Sequence, residues 1–100
     1  MSGEERSLNI KVGSKDYTIN YTDRVITNYA ETWGNCDYAN CEINISSQTC
    51  EQMQFNTLIH ELLHACLYEI GSDLHTDEQF TEALGNMIVQ VIRDNRDCFE

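Results

Sequence analysis

Two histidines four residues apart are the first chemistry-bearing pair in this chain, in the run His60-Glu61-Leu62-Leu63-His64. On a helix of about 3.6 residues per turn, positions i and i+4 stack on one face, so both imidazoles reach a single ion. Such a pair is half of a metal site. Glu61 directly follows the first histidine, which places a carboxylate beside the water that a bound zinc ion activates rather than on the metal itself. Zinc brings the pKa of such water towards roughly 7, and a glutamate there takes the proton and later hands it to a leaving amine. That is the chemistry of peptide-bond hydrolysis. Five residues with three fixed positions also arise by chance, so the setting decides the weight of the motif. Here it holds two of the three histidines in the chain.

The elements around the motif follow from hydrophobic spacing. Phe55, Ile59, Leu62, Leu63, Cys66, Leu67 and Ile70 recur at intervals of three and four, which predicts a helix from about Cys50 to Ile70. Ser46, Ser47 and Thr49 offer cap residues before it, and Gly71 stands where a helix ends. With Ile59 set at 0° and about 100° per residue, the stripe centres near 10° and the two histidines fall at about 100° and 140°. They are therefore expected to flank the core. Thr76 or Asp77 caps a second predicted helix with the stripe Phe80, Leu84, Met87, Ile88, Val91 and Ile92, ending near Asn95.

Upstream, Leu8 to Val12 and Tyr17 to Tyr21 alternate apolar and polar residues around a turn at Gly13-Ser14-Lys15-Asp16, the pattern of a hairpin. Val25, Ile26, Tyr29 and Ala30 are spaced to suit a short helix over residues 22–32. Trp33 to Tyr38, and a strand carrying Cys41, Ile43 and Ile45 on one buried face, are expected to pair through a turn near Ala39-Asn40. Strands followed by two packed helices make an α+β domain. At 100 residues the chain, 1–100, reads as a single domain.

Composition removes several classes. Six Lys and Arg against 17 Asp and Glu give a net charge of −11 and a pI near 4.4. That is the wrong sign for holding nucleic acid through its phosphates. With 41% hydrophobic residues and a mean hydropathy of −0.46, the chain can build a modest core, and no uncharged run approaches a membrane span. The start, Met1 to Ser7, lacks a basic region followed by an apolar stretch, so the expected compartment is the cytoplasm. Five cysteines, an odd number, match no disulfide scaffold and are expected to be reduced. The spacing of Cys36, Cys41 and Cys50 matches no zinc finger, Cys66 reads as a small core residue, and Trp33 as core or strand-edge packing.

The segment Thr57 to Ala65, preceded by an Ile-x-Ile strand and followed after a Gly turn by an acidic helix start, resembles the zincin metallopeptidases. In particular it is similar to the small stand-alone forms met in phages and prophages, akin to the ImmA/IrrE-like and SprT-like groups. The resemblance covers roughly residues 33–95. It implies a zincin-like α+β fold, with antiparallel strands, an active-site helix and a C-terminal helix, and an edge strand above the active helix at Cys41 to Ile45, along which substrate lies extended. It also implies a zinc ion held by His60, His64 and a third residue, with Glu61 as general base.

For that third ligand the resemblance points to the acidic segment, and to Glu78 within it. Asp77 is the nearest rival, and His75 would serve in a three-histidine set or as an oxyanion stabiliser. Glu82 faces about 200° from Phe80, and Glu78 itself near 160°, against a stripe centred near 20°. An acidic helix start also favours the helix dipole with no metal at all. Two functions follow. One is a cytoplasmic zinc endopeptidase acting on a protein or peptide; the other is a non-catalytic protein of the same fold whose acidic surface engages a host protein.

Overall fold

The computed structural model describes residues 6–100. The expectation of no leader rests on residues 1–7, of which 1–5 lie outside the described residues. Strand β1 (Arg6–Val12) turns through Gly13 and Ser14 into β2 (Lys15–Thr22), pairing antiparallel with Val12 opposite Lys15. Gly13 sits at φ +62°, a conformation that glycine adopts freely. Tyr17, Ile19 and Tyr21 point to one face and are buried, so the predicted alternation holds.

Residues 22–32 are not helical. They form a two-stranded hairpin, β3 (Val25–Thr27) and β4 (Ala30–Thr32), with Thr27 opposite Ala30. The two connecting residues, Asn28 and Tyr29, both have positive φ, 53° and 69°. A two-residue turn of that hand matches the twist of paired strands, and Asn tolerates it well. Helix-like spacing over so short a run could not reveal this.

Strands β5 (Gly34–Asp37) and β6 (Glu42–Ser46) pair antiparallel as expected, and the four-stranded sheet runs β1-β2-β6-β5. Strand β6 joins β2 through a parallel ladder, Ile19 opposite Ile43 and Tyr21 opposite Ile45. This corrects the expected edge. The strand carrying Ile43 and Ile45 is interior, both isoleucines are fully buried, and the exposed edge beside the helices is β5. Cys41 precedes the strand at φ 54°.

Helix α1 (Glu51–Glu69) covers one sheet face and α2 (Glu78–Asp94) packs against α1, with a 3-10 turn at Asp73–Thr76 between them. The start of α1 differs from expectation: Cys50 is the N-cap and makes no side-chain cap bond. Ser46 is instead buried at the end of β6, and Gln54 Nε2 donates to the carbonyl of Thr49 at 2.7 Å. The end is as expected. Gly71 at φ +77° lets its own N–H reach the Tyr68 carbonyl, and that of Ser72 reach the Leu67 carbonyl, closing both open ends of the last turn.

The core joins Val12, Tyr17, Ile19, Tyr21, Ile43, Ile45 and Ala65, with Leu58 and Leu62 of α1 packed on it. Both helices are rotated from their predicted faces. The buried residues of α1 are Glu61, His64 and Ala65, while Phe55, Cys66 and Ile70 of the predicted stripe are exposed. The inward face of α2 is Thr81, Gly85 and Val89, and Phe80, Leu84, Met87 and Val91 face out. Helix α1 lies between the sheet and α2, so its apolar residues are split between two contacts and their average direction is misleading. Cys66 is thus not a core residue.

On its other face the sheet is polar. Ser7 donates to Asn20, Asn20 to Asn44, Asn44 to Asn35 and Asn35 to Thr27, whose hydroxyl lies 3.0 Å from that of Thr32. Thr32 in turn donates to the Gly34 carbonyl. This row ties the separate β3–β4 hairpin to the sheet.

Candidate metal centre

A cleft of about 780 Å³ opens between the β5 edge, the β3–β4 hairpin, α1 and the start of α2. Its floor is the inward-turned face of α1. His64 and Glu61 are there because the helix turns that side, beside Leu58 and Leu62, to the interior. This corrects the expectation of two histidines flanking the core: His64 is buried, and His60 is half-buried one turn earlier.

Glu78 reaches the same point from the first residue of α2. Its Oε1 lies 3.1 Å from His60 Nε2, its Oε2 lies 3.2 Å from His64 Nε2, and the two Nε2 atoms are 3.2 Å apart. Among the described residues, His60, His64 and Glu78 form a cluster able to hold a metal ion, with ligand atoms all within 4.8 Å of one another. The donor set fits zinc. Metal–ligand bonds of about 2.0–2.1 Å in a tetrahedron place neighbouring donors roughly 3.3 Å apart, and three protein donors leave one position open. Glu78 lies far from the predicted stripe of α2 but on its observed inward face: Thr81, Gly85 and Val89 average about 140°, close to the roughly 160° of Glu78.

The rivals lie outside this cluster. Asp77 is the N-cap, its Oδ1 accepting from Phe80 N at 2.9 Å. The His75 ring places Nδ1 2.8 Å from the Ser72 carbonyl, while its own backbone oxygen lies 2.7 Å from His64 Nδ1. A carbonyl only accepts, so His64 carries a proton on Nδ1, and in the neutral ring that leaves a bare Nε2 facing the cluster. Glu82 lines the cleft outside the cluster.

Glu61 stands beside the three donors without joining them. Burial first, and then the Glu78 charge, push its carboxyl up to about 8. Gly34 lets the β5 edge approach this carboxylate: a Cβ there would lie 2.5 Å from Thr57 Cγ2, 2.9 Å from the Asn44 carbonyl oxygen and 3.5 Å from Glu61 Cγ. A glycine inside a strand is a sign of such approach, and sequence reasoning passed it over. Trp33, read as packing, is 54% exposed and lines the cleft. Tyr38, also unforeseen, lines it too. All five cysteines are free.

A model of the SprT-like family matches residues 7–95. No curated protein and no solved structure matches the chain.

Proposed function

This chain belongs to the SprT-like family, and from that premise we propose that it is a zinc-dependent metallopeptidase acting on a protein or peptide substrate. The observation that carries the reading is the convergence of His60, His64 and Glu78 from two helices on one point beside a buried glutamate. In this reading the two Nε2 atoms and the Glu78 carboxylate hold the ion. Zinc bound there supplies a Lewis acid that polarises the scissile carbonyl and acidifies water. Glu61 does the proton work in its ionised form, which the charge of a bound cation would favour against the upward push of burial: a carboxylate oxygen takes a proton from the attacking water and returns it to the departing amide nitrogen. Its burial keeps bulk solvent from competing for that proton. The β5 edge lies open beside the site, so an extended segment can pair with it while its scissile bond faces Glu61.

Elemental mass spectrometry on purified protein tests the site. Wild type is expected to carry about one zinc per chain, and His60→Ala, His64→Ala and Glu78→Ala to lose it. With an unfolded protein as substrate, Glu61→Gln is expected to keep the zinc and lose roughly 10²–10⁴ in rate. Unchanged cleavage by Glu61→Gln would sink the mechanism.

A further inference from the structure

His64 is gripped from behind. The His75 carbonyl that accepts from its Nδ1 also accepts from the Tyr38 hydroxyl, at 3.0 Å. One carbonyl oxygen has two lone pairs and serves both. That oxygen belongs to the 3-10 turn Asp73–Thr76, which has no buried residue of its own. Its position therefore depends on what is bonded to it and stacked around it. Tyr38, just beyond the end of β5, provides both. Its ring stacks on Tyr68 of α1 with centroids 4.3 Å apart and planes 5° from parallel, and the His75 ring stands edge-on to both at 5.4 and 5.3 Å. Offset and edge-on aromatic contacts of this kind fix ring orientation as well as burying area.

We propose that Tyr38 is a positioning residue: through the His75 carbonyl it holds the imidazole of His64 in the tautomer and direction that a metal ion requires. The inference rests on the metallopeptidase reading and deepens it. Tyr38 lies outside the His60, His64 and Glu78 cluster, so its hold on that cluster is indirect, through the shared oxygen and the rings stacked around it. A free carbonyl on an exposed turn would let the His64 ring rotate and let its proton move to Nε2, the atom facing His60 and Glu78.

Zinc affinity by competition with a chelator, and the 15N shifts of the His64 imidazole in zinc-free protein, test this together. Tyr38→Phe keeps the ring that stacks on Tyr68 and removes only the hydroxyl. It is expected to weaken zinc binding about tenfold, at the lower end of losses for outer ligand partners, and to turn a pure Nδ1–H tautomer into a mixture. Tyr68→Phe, which leaves the shared oxygen untouched, is expected to change neither. 4-Aminophenylalanine at position 38 restores a donor and should recover the affinity; the isosteric 4-fluorophenylalanine should not. That last pair decides the matter if Tyr38→Phe fails to fold. Wild-type affinity and tautomer in Tyr38→Phe would overturn the inference while leaving the zinc site standing. Wild type that takes up no zinc would overturn the metallopeptidase reading, and the tautomer alone would then decide whether Tyr38 positions His64.

Discussion

Cys36 lies on the β5 edge in the cleft, and burial, followed by the Glu61 charge, pushes its thiol up to about 12 from an ordinary 9.0. Between those values the folded chain holds a proton that the unfolded chain releases, so stability falls as pH rises through that window. Burial likewise raises the Tyr17 hydroxyl, with the bonded Glu69 carboxylate adding to it, in the same direction. Alkaline titration followed by circular dichroism should show the Cys36 and Tyr17 loss setting in above about pH 9, on top of the loss that the raised Glu61 carboxyl gives as pH climbs from 4.5 to about 8. At pH 8, alkylation of Cys36 should run slower than that of exposed Cys50 and Cys98, with a thiolate fraction roughly a thousandfold below that of an unperturbed thiol. Equal rates would refute the burial account. The part of the candidate site set by local spacing was legible: His60, Glu61 and His64 fall within five positions. Glu78 was reachable only through resemblance to known proteins, because a second helix brings it in. Tyr38 left no sign, since its role depends on a carbonyl far along the chain.

Helices and strands were legible in type wherever one side met solvent and the other a core, as in β1, β2 and β6. Orientation was not. An apolar stripe gives one direction, and α1 has two neighbours, so the face that carries Glu61 and His64 inward is set by tertiary packing. The hairpin at Val25–Thr32 was missed because its strands are three residues long and its turn is decided by two backbone angles. Two glycines separate packing from propensity at this scale. At Gly85, in the middle of α2, an added Cβ would meet Leu63 Cδ1 at 3.6 Å and His60 Cα at 3.8 Å, ordinary contact distances. Gly85→Ala is therefore expected to stabilise by about 0.5–1 kcal/mol through helix propensity, read as a raised midpoint in urea. Gly34→Ala drives a methyl into Thr57 and a backbone oxygen. It should destabilise by about 1–3 kcal/mol and push the β5 edge away from Glu61.

The whole molecule carries −11 with a pI near 4.4, and it leaves Phe80, Leu84, Met87 and Val91 exposed along one side of α2. Repulsion between copies opposes association through that side. Light scattering should therefore find constant particle size near pH 8 and growth as pH falls towards the pI, where the charge vanishes. No growth there would mean that the exposed side does not self-associate. The row of side-chain bonds across the sheet belongs to this scale too. Thr32 uses its one hydroxyl proton on the Gly34 carbonyl, so Thr27 must donate to Thr32. Every donor from Ser7 onward then points the same way, and aligned bonds of this kind polarise one another by an estimated ~10–30% each. The sheet has a head and a tail across its width, as a helix has along its length, and the head rests on the Gly34 carbonyl in the edge strand of the cleft. A chain pairing there meets a carbonyl with one lone pair already taken, at the end of a row of aligned dipoles that draws one side chain from each of six strands.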